Sequence, residues 1–219
     1  MILHMTMALI LTNSAGRIGL EAAVKALKDT GNILDAIEEG IKKVEEDPEI
    51  RSVGYGSWPN LLGEIELDAA IMNGDTLEAG AVGALSGFLH PISIARKVME
   101  DLPNVLIVGK GAERFALECG YKKTELLSSK VRMQWQKKIF ETLSLDLQNQ
   151  WPDIPLIPLS RKAIDPDLEK GTTCFLIKGE KSQIAMGLST SGLAWKYPGR
   201  LGDSPLIGSG GYADSDYGA

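Results

Sequence analysis

Hydroxyls and one charged pair carry most of the chemistry open to this 219-residue chain. Thr172 follows Gly171 directly, and Thr190 sits in Ser189-Thr190-Ser191-Gly192. Arg200 and Asp203 lie three apart in Pro198-Gly199-Arg200-Leu201-Gly202-Asp203-Ser204-Pro205. A threonine hydroxyl becomes a nucleophile only when a base or a lowered pKa activates it, so by type alone Thr172 reads as a strand threonine and Thr190 as a turn hydroxyl. Arg200 and Asp203 by themselves read as a loop ion pair, which at a surface contributes little. Other chemistry fits less well. His4 and His90 are too few and too isolated for a metal cluster or a Ser-His-Asp triad. Gly109-Lys110-Gly111 looks like a fragment of a phosphate loop without its full spacing or its Ser/Thr. Cys119 and Cys174 have neither zinc nor redox spacing and read as two buried free thiols, with a structural disulfide as the alternative.

The elements that must position these groups follow from pattern. Apolar residues at 44% and charged residues at 24% describe an ordinary globular chain with one sizeable core or two small domains. A net charge of -6 argues against a phosphate backbone as partner, so no nucleic acid is expected. No run approaches the roughly 20 apolar residues that cross a bilayer. The short apolar run at Met5 to Leu11 has no basic region before it, as a secretory leader would, so no membrane partner is expected and the expected location is cytoplasmic. The spacing predicts a strand at 7–11, then helices around 20–27 and 34–44, the second closed by Pro48. Strands are predicted at 64–72 and 77–85 about the Asn73-Gly74 turn, then a helix at 91–100, a strand at 105–108 and a helix at 111–119. Residues 124–147 read as helical, and Pro152, Pro155, Pro158 and Pro166 mark a loop. Two strands, 172–177 and 183–188, precede a glycine-rich tail. Alternating helices and strands with hairpin-like units near both ends argue for an α+β chain whose helices cover stacked sheets.

Four blocks in order resemble the glycosylasparaginase and plant-type asparaginase family of N-terminal nucleophile hydrolases, which includes the isoaspartyl peptidases. They are Gly171-Thr172, Ser189-Thr190-Ser191-Gly192, Pro198 to Pro205, and Gly208-Ser209-Gly210-Gly211-Tyr212-Ala213-Asp214. The first half agrees, through Val53-Gly54-Tyr55-Gly56 with Pro59-Asn60, Leu67-Asp68-Ala69 with Met72-Asn73-Gly74 and Gly80-Ala81-Val82, and His90-Pro91-Ile92-Ser93 with Ala95-Arg96. The resemblance covers most of the chain and weakens between about residues 120 and 168.

The resemblance implies a four-layer αββα sandwich built jointly by an α-subunit-like segment, 1–171, and the start of a β-subunit-like segment, 172–219. It implies that Thr172 cuts the chain at Gly171 and then serves as an N-terminal nucleophile, whose own α-amine titrates at about 7.7 to 8.0 and can act as base. Thr190 would orient the nucleophile or its amine. Arg200 would fork onto the α-carboxylate and Asp203 would take the α-ammonium of a small-molecule aspartyl or asparaginyl amide. No cofactor and no metal are implied, and a homodimer is. The substrates left open are N4-(β-N-acetylglucosaminyl)-L-asparagine-like amides, β-aspartyl peptides and L-asparagine, with slight preference for the first. Lys170, Cys174 and Asn13 depart from the family's histidine, glycine and tryptophan. The family's oxyanion-hole segment follows the Tyr-Ala-Asp block, so a C-terminal part is expected beyond Ala219. These departures also motivate the opposite expectation, an inactive member kept for binding or structure.

Overall fold

Strand formation here is driven by two-sided burial, and β5 (Thr173–Lys178) shows it most simply. Thr173, Phe175 and Ile177 are buried on one face, while Cys174 and Leu176 are half-buried on the other. Period-2 alternation places consecutive side chains on opposite faces. The computed structural model describes residues 7–163, 168 and 171–219. Within them lies a six-stranded sheet with the order β1 (Leu9–Thr12), β5, β6 (Ile184–Thr190), β2 (Glu66–Asn73), β3 (Ala79–Ser86) and β4 (Leu106–Val108). All neighbours are antiparallel except β3 and β4. The architecture is α+β with a mixed sheet. Among the described residues there is this one sheet layer, with helices packed on one of its faces.

Those helices are α1 (Leu20–Thr30), α2 (Ile33–Glu46), α3 (Pro91–Asp101) and α4 (Gly109–Glu118). Asn32 caps α2 by accepting from the Leu34 N–H at 2.8 Å. Ile33, Ala36, Ile37, Ile41 and Val44 of α2 then share the main core with Ala69, Ile71, Phe175 and Ile177 of the sheet and Ile92, Ile94 and Val98 of α3. The approach is close: a Cβ on Gly187 of β6 would collide with the Ile37 side chain. The opposite sheet face carries a smaller apolar cluster, Ala70, Met72, Ala81, Met186 and Leu188, which Ala213 and Ile207 of the tail partly cover. A third cluster joins Trp58, Leu61, Ile65 and Leu67 to α5 (Ser129–Thr142), α7 (Leu156–Ala163) and Trp195.

Boundaries shift by a few residues from the sequence reading, and three differences have physical reasons. The alternation over 64–72 looked imperfect because both faces of β2 are buried. The region 124–147 is not one helix: residues 124–128 lie outside any helix, Ser128 caps α5, and α6 (Leu145–Gln148) is separate. The proline-rich stretch expected as loop contains α7, because Pro155 precedes it and Pro158 falls in its first turn, where a missing N–H costs nothing. Pro166 lies outside the described residues. Cys119 and Cys174 are both free thiols.

Candidate active site

Strand register brings the two threonines together. Thr173 pairs with Ser189 across β5 and β6, and Asp68 of β2 lies opposite Thr190. Thr172, just ahead of β5, therefore meets Thr190, the last residue of β6. The Thr172 hydroxyl is 2.9 Å from Ser204 Oγ. The Thr190 hydroxyl donates to the Gly171 carbonyl at 2.9 Å and, less closely, to the Ser52 carbonyl at 3.3 Å, while accepting from the Gly192 N–H at 2.9 Å. Thr190, expected to orient the nucleophile or its amine, engages the carbonyl on the other side of the Gly171–Thr172 bond, and the Thr172 hydroxyl meets Ser204. Ser52 is fixed in turn, since its carbonyl also accepts from the Ser191 N–H at 2.7 Å.

Asn13 holds the same segment from the side of β1. Its amide donates to the Thr172 carbonyl at 2.6 Å, and its oxygen accepts from the Cys174 N–H at 3.4 Å and the Gly16 N–H at 3.3 Å. The residue that stands where the family has tryptophan is therefore a backbone clamp on the start of β5. Lys170 and His4 lie outside the described residues.

Gly171, Thr172, Thr190, Arg200, Asp203 and Ser204 line one cavity of about 170 Å3. A larger hollow of about 330 Å3, near Glu64, Ser86, Lys110 and Lys123, contains none of these hydroxyls. Among the described residues Arg200 forms no ion pair with Asp203, so the loop bridge expected from the bare sequence is not made. Both residues line the cavity instead. Glycine makes this possible: a Cβ on Gly192, which has φ 71°, would lie 2.9 Å from Arg200 Nη1, and one on Gly202 3.2 Å from it.

The Arg200 loop is held by two buried carboxylates two apart on β2. Glu66 Oε1 accepts from the Gly199 N–H at 2.8 Å, and Asp68 Oδ2 from the Gly202 N–H at 3.4 Å, while Asp68 Oδ1 takes the Ala84 N–H at 2.9 Å. Lys196 is buried beside them, donates to the Glu66 carbonyl at 3.0 Å and lies 3.9 Å from Glu66 Oε2. Burial pushes its ammonium below the usual lysine range, against the pull of Asp68 and Glu66. Beneath Thr190 another buried acid, Glu45, joins three elements. Its Oε1 accepts from Ser189 Oγ at 2.7 Å and the Ile92 N–H at 3.2 Å, and its Oε2 lies 3.3 Å from His90 Nδ1. Burial pushes this carboxyl above the usual range, and His90, Ser189 and the Ile92 N–H pull it back. Its backbone carbonyl receives the Tyr55 N–H at 2.8 Å, which anchors the loop after Ser52.

Sequence reasoning missed Ser52, Glu45, Glu66 and Lys196 as parts of this site, and met Asp68 and Ser204 only inside motifs. The available signal was charge where the pattern demanded apolar residues: Glu66 and Asp68 open a strand that otherwise runs Leu, Ala, Ala, Ile, Met up to its final Asn73, and Lys196 follows Leu193-Ala194-Trp195.

Comparison with known proteins gives the family. A family model described as Asparaginase matches residues 13–219. The chain is 37% identical over 210 residues to an N(4)-(beta-N-acetylglucosaminyl)-L-asparaginase of Elizabethkingia miricola, covering 94% of this chain and 56% of that protein. It is 39% identical over 193 residues to an isoaspartyl peptidase/L-asparaginase of Rattus norvegicus, covering 88% and 54%. To a plant-type L-asparaginase of Pyrococcus abyssi it is 40% identical over 199 residues, covering 90% and 62%. The chain spans less than two thirds of the length of each of these relatives. It belongs to the asparaginase/glycosylasparaginase family of N-terminal nucleophile hydrolases.

Proposed function

We propose that this chain supplies the nucleophile and the substrate clamp of an amidohydrolase acting on side-chain amides of asparaginyl or β-aspartyl compounds, with Thr172 as nucleophile after self-cleavage at Gly171. One observation carries the reading: the Gly171–Thr172 bond opens onto the same cavity as Arg200 and Asp203, whose charges are not spent on each other. Segment 172–219 and segment 1–171 share one sheet, so a cut between them leaves the cavity standing.

In the uncut chain Thr172 Oγ attacks the Gly171 carbonyl carbon. The C–N bond breaks and its nitrogen takes a proton, leaving an ester on Thr172 Oγ that water hydrolyses to a Gly171 carboxylate and a free Thr172 amine. Donation from Thr190 to the Gly171 oxygen favours the charge that develops there, and Ser204 offers an acceptor to the attacking hydroxyl. Afterwards the Thr172 α-amine serves as base for attack on the substrate amide. Arg200 takes the substrate α-carboxylate and Asp203 the α-ammonium. Ammonia or an amine leaves, and water releases aspartate from the threonine ester.

Glycosylated asparagine, β-aspartyl peptide and free asparagine all present the same head group to Arg200 and Asp203. Glycosylated asparagine is the first of these to test. The half-buried sheet face bearing Leu176 and Ile184 fits a second sheet, completing a four-layer αββα sandwich. Mass spectrometry of the purified protein tests the self-cleavage. Two pieces, the second beginning at Thr172, support it, and one uncut chain under conditions that support turnover counts against it. Thr172→Ala should abolish both the cut and hydrolysis of all three amides; full turnover by that variant overturns the assignment.

A further inference from the structure

Lys196 is only 1% exposed, yet its ammonium donates a single hydrogen bond among the described residues, to the Glu66 carbonyl. An ammonium carries three donors, and burying it is costly unless opposite charge or acceptors surround it. The nearest carboxylate oxygen, Glu66 Oε2 at 3.9 Å, itself has no hydrogen-bond partner among the described residues. Glu66 and Asp68 favour the charged lysine, while Arg200 is close enough to oppose it. The two carboxylates are also engaged by the N–H groups of Gly199, Gly202 and Ala84.

Position explains what this cation faces. A Cβ on Gly192 would lie 3.6 Å from Lys196 Nζ and 2.9 Å from Arg200 Nη1, so both cations approach the same point of the cavity wall, which glycine keeps thin. Two like charges held beside one another repel, and an anion in the cavity relieves that repulsion. We propose that Lys196 is a specificity-determining residue, a second and buried positive charge behind Arg200 that selects ligands bearing a carboxylate on the ammonium-bearing carbon. The proposal rests on Arg200 being the carboxylate clamp.

Calorimetry with L-aspartate and with β-alanine, which lacks the α-carboxylate, separates the two ideas. Wild-type protein should bind L-aspartate more tightly. Lys196→Met should weaken L-aspartate binding by about tenfold and leave β-alanine binding unchanged. Because that variant strips Glu66 of its counter-charge, Lys196→Met/Glu66→Gln is measured alongside it, with thermal unfolding to confirm the fold, and should show the same selective loss. Equal losses on both ligands, or none on either, in the folded variants would overturn the role of Lys196 while leaving the Arg200 reading intact. Wild-type protein that does not distinguish the ligands overturns both.

Discussion

At Thr190 one hydroxyl proton faces two carbonyls, Gly171 and Ser52, and the shorter bond goes to the bond that would be cut. Removing that donor with Thr190→Val should slow appearance of the 172–219 piece by about 10²- to 10³-fold, in line with loss of one oxyanion donor, whereas Thr190→Ser should restore most of the rate. A time course by mass spectrometry reads this directly. Ser204→Ala should slow the same step while leaving affinity for L-aspartate within about twofold, since the hydrogen bond of Ser204 is to Thr172 Oγ, the proposed nucleophile, rather than to Arg200 or Asp203. Thr172, Thr190, Arg200 and Asp203 were legible as a group because motif blocks carry them. Their contacts were not, because Ser204, although it stands in the Arg200 block, reaches Thr172 through the fold, and Glu66 reaches Gly199 in the same way.

Helix and strand ends meet at Glu45, which ties α2 to α3 and to β6 one residue before Thr190. Its carboxyl is raised by burial, so the folded protein holds a proton that the unfolded chain releases. Stability from this group is therefore greatest below the ordinary carboxylate range and falls as pH rises through the raised value. Glu45→Gln keeps an acceptor for Ser189 and Ile92 and should flatten that part of the curve in urea unfolding measured at stepped pH; an unchanged slope contradicts the argument. Two glycines make an opposed pair. Gly187→Ala drives a methyl into Ile37 and should cost about 1–3 kcal/mol. Gly111→Ala in α4 meets open space and should gain up to about 1 kcal/mol. Guanidinium midpoints measure both. Most helices and strands were legible from periodicity, whereas α7 was hidden because prolines in a first turn resemble prolines in a loop.

Across the molecule, the two faces of the sheet differ in what covers them. Ile177→Asp, on the helix-covered face, should prevent folding, while Leu176→Asp, one residue earlier on the half-buried face, should leave the circular dichroism of this chain nearly unchanged. Comparable losses from the two substitutions would argue that the second face is as tightly covered as the first. The sheet's membership could be read from the sequence, but its strand order could not, because Leu9 pairs with Lys178 and nothing local encodes a partner so far along the chain. That order also sets a clock. Strands β1 and β2 never touch; the space between them is filled by β5 and β6, which are made after everything else in the sheet. A growing chain emerging from the ribosome therefore has a split sheet until residue 190 is out, and with it neither Thr190 opposite Asp68 nor a carbonyl held for attack. On the proposed route, cleavage at Gly171 would wait until synthesis has passed that point, when both pieces can hold each other in place.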